Sequence, residues 1–179
     1  MTRLPPALRR FARSEEGGAT VEFVLLFPLF FALFLATFEM GMLLARQMML
    51  DRGLDMAVRE VRLGTLDPVT QDSLKARICD YATIIPDCLR QVRVEMRSAD
   101  PRSWTQPGVS ADGADCVNRA DTAKPVRFFV PGRPNELMMI RVCALFDPYL
   151  PSSAIGHRMS AEKGYYELIA TSAFVIEPS

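Results

Sequence analysis

The chain has 179 residues, 49% of them hydrophobic, and its 21 basic and 21 acidic side chains cancel. That length leaves room for one modest domain plus appendages. With no net charge there is no global field to draw in nucleic acid or an acidic polymer, so no nucleic-acid partner is expected and every charge argument is local.

In chain order, Arg3, Arg9, Arg10 and Arg13 come first. Residues 23–38 carry no charge, and after Glu39 the apolar run resumes until Arg46. About 20 apolar residues cross a hydrocarbon core of about 30 Å, so this run of about 23 predicts a spanning helix. A domain this small could hardly bury so many Phe and Leu side chains on every face of one helix. The leading arginines predict a cytoplasmic N-terminus; Arg46 and Arg52 beyond the run weaken that bias, with Asp51 and Asp55 beside them. A cleavable secretory signal has a shorter apolar region, about 7–15 residues, ending in small residues at a cleavage site. Here the run continues into a helical pattern, so loss of the whole segment is not expected.

Two carboxylates interrupt this chemistry. Glu22 opens the apolar run and Glu39 breaks it, and a carboxylate within hydrocarbon is costly enough to need a partner. For Glu22 two readings stand: an interfacial residue favoured by the helix dipole, or a specific role. Glu39 lies about 26 Å further along the helix, which puts it near the outer interface. Pro28 removes a backbone hydrogen bond and predicts a bend.

The stretch RSEEGGATVEFVLLFPLFF, residues 13–31, with arginines before it and an apolar helix after it, resembles the start of TadE-like proteins. These are minor pseudopilins of Tad (Flp-type) pilus systems, related to type IV pilins. The family's pattern of a glycine, four residues, then Glu and an aromatic is met by Gly17, Glu22 and Phe23. The resemblance implies a prepilin peptidase as a partner, cutting after Gly17 to remove the leader, keep the helix and make Gly18 the new N-terminus. Gly17-Gly18 offers two scissile bonds, and Glu15 and Glu16 put negative charge beside an otherwise basic leader. It further implies that Glu22, then the fifth residue, neutralises the amino terminus of a neighbouring subunit. The ending SAFVIEPS, residues 172–179, resembles the strand and Glu-Pro close frequent in the family. Implied partners are other pilin and pseudopilin subunits and the inner-membrane assembly machinery.

Around and past Arg46, Leu43, Leu50, Leu54, Ala57 and Val61 recur at helical spacing, so the helix is expected to run over residues 19–63 and end near Gly64. The alternative is a membrane helix followed by a separate amphipathic one. A second helix is predicted over 69–81, then a half-buried strand over 91–97 from the alternation QVRVEMR. Further strands are expected over 126–130, 137–146 and 166–176, with PGRPNE as the turn between the first two. The fold class is α+β: a long N-terminal transmembrane helix continuing into a small extracytoplasmic domain in which a helix packs on an antiparallel sheet. The expected division is a leader over 1–17, a transmembrane helix over 18–45, its continuation over 46–64 and the domain over 65–179.

Residues 98–125 form a connection too long to be idle in a compact domain. Its Trp104 reads equally as a docking anchor or as an aromatic folded back on the core. Four cysteines permit three pairings; Cys79 with Cys88 and Cys116 with Cys143 are expected in an oxidising compartment such as the periplasm. No ligand spacing predicts a metal, no cofactor motif is present, and His157 sits alone in a polar turn, so no catalytic residue is assigned. Assembly in a pilus is the leading reading. A permanently anchored periplasmic binding or scaffold module that is never processed is the alternative, and a membrane-anchored enzyme the third class.

Overall fold

The computed structural model describes residues 18–100, 102, 113–119 and 125–178. The leader, Gly17 and Trp104, to which the sequence assigns processing and a docking or core role, lie outside the described residues.

Helix α1 runs Gly18–Arg62, 45 residues without a break, so the two-helix alternative does not hold. At 1.5 Å per residue it is about 67 Å long. It continues through Pro28, which has no N–H to donate and so leaves the Val24 carbonyl without its helical partner. Beyond the helix end the chain turns at Gly64, whose φ of 67° is left-handed, and Thr65 N–H donates back to the Glu60 carbonyl at 3.0 Å. A residue without Cβ relieves the strain of that turn.

The two halves of α1 differ in what covers them. Side chains such as Val24, Leu25, Leu29, Phe30 and Leu33 are exposed, whereas Leu50, Leu54, Ala57, Val58 and Val61 are buried in the domain core. Helix α2 spans Gln71–Tyr81 and starts from a reciprocal cap. Thr70 Oγ1 accepts from Ser73 N–H at 3.1 Å, and Ser73 Oγ accepts from Thr70 N–H at 3.0 Å. Leu74 and Ile78 carry its apolar face onto α1. The helices meet at Gly53, where a Cβ would stand 2.7 Å from the Ile78 carbonyl oxygen and 3.1 Å from the Ala82 side chain.

Then come a short helix α3, Cys88–Gln91, and strands β1, Val92–Ser98, and β2, Leu137–Phe146. Helix α4, Ala154–Ser160, and strand β3, Tyr166–Val175, complete the chain. The sheet is antiparallel in the order β1-β2-β3, with Val94 opposite Val142 and Val142 opposite Ala170. Val92, Val94, Met96, Met138, Ile140, Val142, Leu168 and Phe174 point to the core beneath α1 and α2. The architecture is α+β, as the sequence predicts.

Three local expectations differ. The segment 126–130 is not a strand; it makes a single bridge, Phe129 to Met96, between Pro125 and Pro131. Its Arg127 N–H is taken by the Asp115 carboxylate at 3.0 Å, which diverts a donor a ladder would need. The polar turn around His157 contains α4, capped by Ser153 Oγ accepting from Gly156 N–H at 3.0 Å. It is seven residues long and too short to show a helical period.

The third concerns β1, which is buried on both faces. Arg93 and Glu95 are 7% and 6% exposed, because segment 113–119 roofs the outer sheet face. The Glu95 carboxylate accepts from Arg141 at 2.7 Å and from the Asp115 N–H at 3.2 Å, while Asp115 pairs with Arg93 at 3.3 Å. The disulfide Cys116–Cys143 ties this roof to β2, and Cys79–Cys88 joins the end of α2 to α3. Closing a loop of 27 residues lowers the entropy of the unfolded chain by about 3.5 kcal/mol on the loop-closure model.

The close approach at Gly53 carries a prediction. Gly53→Val should push α2 off α1 and lower stability by about 2–3 kcal/mol, read as a lower urea midpoint of the detergent-solubilised chain. An unchanged midpoint would mean that the two helices are free to separate.

Candidate functional site

The exposed half of α1 is the most unusual surface of the protein. Its most apolar window is unburied throughout, and α1 is long and apolar enough to cross a membrane. Phe23, Phe27, Phe31 and Phe34 form a continuous ladder along it, with ring centroids 5.0, 5.7 and 6.5 Å apart. Steps of three and four residues keep these rings within one stripe of the helix. Phe38 extends the stripe and meets the Tyr149 ring edge-on at 6.4 Å. Glu22 is exposed one turn from the described start of the helix and within the same apolar stretch.

Glu39 lies at the other end and is 2% exposed. Its two carboxylate oxygens accept from the backbone N–H groups of Tyr149 at 3.0 Å and Leu150 at 2.9 Å. Two turns further along the same helix face, Arg46 is 4% exposed. Its guanidinium lies 4.1 Å from the Tyr149 ring centroid and 4.7 Å from that of Phe146, and donates to Tyr166 Oη at 2.6 Å and to the Asp147 carbonyl at 3.3 Å. Its Nε has no partner among the described residues. Burial pushes the Tyr166 hydroxyl above the usual tyrosine range, against the lowering influence of Arg46. The loop between β2 and α4 is thus clasped to α1 by an acid and a base. Glu39 is visible in the sequence as a carboxylate needing a partner. Arg46 enters there only as a charge in the orientation bias, although its spacing of seven from Glu39 places both on one helix face.

A cleft of about 760 Å³ opens between α2, α3 and the start of β1, with Lys75, Arg90, Arg93, Arg119 and Asp147 among its lining residues. Burial lowers the Lys75 ammonium below the ordinary lysine range; Asp72 opposes this and Arg93 reinforces it. Arg119 is held by Asp147 at 2.6 Å. His157 is exposed on α4 and does not line this cleft. The structure brings Cys79 to Cys88 and Cys116 to Cys143. It leaves Glu22, Phe23 and Pro28 about 17 to 11 residues below the clasp, a separation of about 26 to 17 Å along α1.

The site is thus an apolar helix with an early Glu-Phe, largely uncovered until it enters a small α+β domain. Residues 17–59 match the TadE-like protein family. The match covers the exposed half of α1, the clasp residues Glu39 and Arg46, and the first turns inside the domain core. It supports involvement in a Tad pilus, and the TadE-like family is one of pilus structural components and not of enzymes. Neither a curated protein nor a solved structure matches the chain.

Removing the acid of the clasp tests its weight. Glu39→Ala leaves two N–H groups without their acceptor and should destabilise the domain by about 2–4 kcal/mol. Urea unfolding measures this, and protease sensitivity of the loop 147–153 should rise in parallel.

Proposed function

We propose that this TadE-like chain is a minor pseudopilin: cut by a prepilin peptidase after Gly17, retained in the inner membrane by α1 with its domain in the periplasm, and assembled with other pilin-like subunits in a Tad pilus. The observation that carries this is the conjunction of Gly17, Glu22 and Phe23 with an apolar helix that the domain leaves bare. Helices packed side by side would cover the ladder of Phe23, Phe27, Phe31 and Phe34, and van der Waals contact is the attraction available to them in lipid.

Glu22 sets the register in this reading. A new amino terminus at Gly18 carries a positive charge, and a carboxylate from a neighbouring helix stabilises it where neither is well solvated. The bare length of α1 supports this, since Glu22 then lies near the entry to the hydrocarbon and not inside the folded domain. Pro28 supplies a bend where helices must slide past one another. The disulfide-bearing domain, roofed and rigid, would select which subunits fit beside it.

Two measurements test the reading. Intact mass and N-terminal sequence of protein from membranes of cells with and without the prepilin peptidase should show a peptidase-dependent terminus at Gly18. An uncut chain in both strains would favour a permanently anchored scaffold module. Glu22→Ala should lower pilus assembly about tenfold or more with membrane insertion retained, and full complementation by that variant would remove Glu22 from the mechanism.

A further inference from the structure

The clasp ties a domain loop to a fixed level of α1. The loop descends α1 as the chain leaves β2: Asp147 is held at the level of Arg46, and Tyr149 and Leu150 at the level of Glu39. Those levels are about 10 Å apart along the helix, the distance that three extended residues cover. Below Glu39 the domain covers little of α1: Leu35 and Ala36 are half-buried and Phe38 meets the Tyr149 ring, but Phe34 and Phe38 are still 55% and 47% exposed. The bare stretch 18–38 is about 31 Å long, the thickness of a hydrocarbon core.

We propose that the loop 147–153 is a lipid-contacting collar, with Tyr149 and Leu150 seated at the bilayer surface beside Phe38. This rests on the reading of α1 as a membrane span. If the span occupies the bare stretch, the loop lies at the headgroup level, because Glu39 anchors it to the first residue above that stretch. The collar moves the upper limit of the span from the expected residue 45 to residue 38. Its chemistry suits the interface: Tyr149 is 46% exposed and pairs an apolar ring with a polar hydroxyl, the combination enriched where membranes meet water.

The loop is also held in shape. Pro148 and Pro151 restrict its backbone, the Tyr149 ring lies on the Arg46 guanidinium, and its N–H is taken by Glu39. Both charged groups are turned inward, so lipid meets Tyr149, Leu150 and Phe38 and neither ion. The domain then stands on the membrane at an orientation fixed by α1 instead of swinging on a hinge.

Fluorescence quenching in vesicles tests this on the full chain. In a Trp104→Phe background, single tryptophans are placed by Tyr149→Trp, Pro151→Trp, Phe30→Trp and Leu63→Trp. The vesicles contain phosphatidylcholine and phosphatidylglycerol, brominated either near the headgroup or near the chain ends. Emission from Tyr149→Trp or Pro151→Trp should fall by about half with shallow bromines and less with deep ones, Phe30→Trp should show the reverse, and Leu63→Trp, about 36 Å above Glu39, should not respond. Quenching at either loop position with this depth order supports the collar. Quenching of Phe30→Trp alone would overturn it and turn the loop toward water or a neighbouring subunit while leaving the span intact. A Phe30→Trp that escapes both lipids would remove the span and the collar with it, and a Leu63→Trp quenched as strongly as the loop would mean that the domain lies flat on the bilayer.

Discussion

A carboxylate two-thirds of the way along an apolar stretch has to be neutralised, solvated or enclosed, and Glu39 is enclosed. Its oxygens meet two backbone N–H groups from a loop more than a hundred residues away in sequence. That single arrangement joins a largely bare helix to a folded domain, because Glu39 is the first fully buried residue of α1 and from there the domain covers one face of it, while Met40, Leu44 and Met48 stay exposed on another. Arg46 strengthens the junction by a different route, lying between two aromatic rings and reaching a third through its hydroxyl. Removing either charged partner would leave polar groups buried without satisfaction, which is why the pair is coupled to the fold and not merely attached to it.

The domain built on this junction is small, and it compensates with two devices. The first is the length of α1, whose distal half supplies a ready-made apolar wall of Leu50, Leu54, Ala57 and Val61 for the sheet to pack against. The second is the polar roof. A three-stranded sheet normally leaves one face to water, but here Arg93, Glu95, Arg141 and Asp115 satisfy one another beneath a segment held by Cys116–Cys143. Buried ions of this kind lend geometry more than net stability, and the disulfide keeps them assembled by restricting the unfolded chain. The C-terminal tail closes the frame: Glu177 pairs with Arg62 at 2.9 Å, tying the end of the chain to the end of α1.

A roofed domain built on a long helix fits the proposed reading of a subunit that assembles by packing. The TadE-like match ends within the distal half of α1, so the family's shared part is the helix and its entry into the domain, while the sheet and its roof lie outside that match. A bare helix offers a generic surface that similar helices can share. In the proposed reading the domain, with its basic cleft and roofed sheet, would distinguish one neighbour from another.

Much of this was legible in the residues, for reasons of period and length. A run of apolar side chains with no polar face calls for an apolar environment all round, and the change to three- and four-residue spacing around Arg46 marks where one face meets a core. Alternation and turn chemistry marked strands over 91–97, 137–146 and 166–176, which form over 92–98, 137–146 and 166–175 with Pro134 and the left-handed Asn135 in the turn before β2, but also one over 126–130 that makes a single bridge. What pattern alone could not decide was which polar residues face water. The alternation in β1 reads as half-exposed, yet Arg93 and Glu95 are covered by a segment distant in sequence. Likewise the sequence marks Glu39 as a charge in need of a partner, but that the partner is the backbone of Tyr149 and Leu150 follows only from the return of the chain after β2. Local spacing determines the faces of each element; tertiary structure decides what covers them, since burial depends on contacts between residues that no period connects.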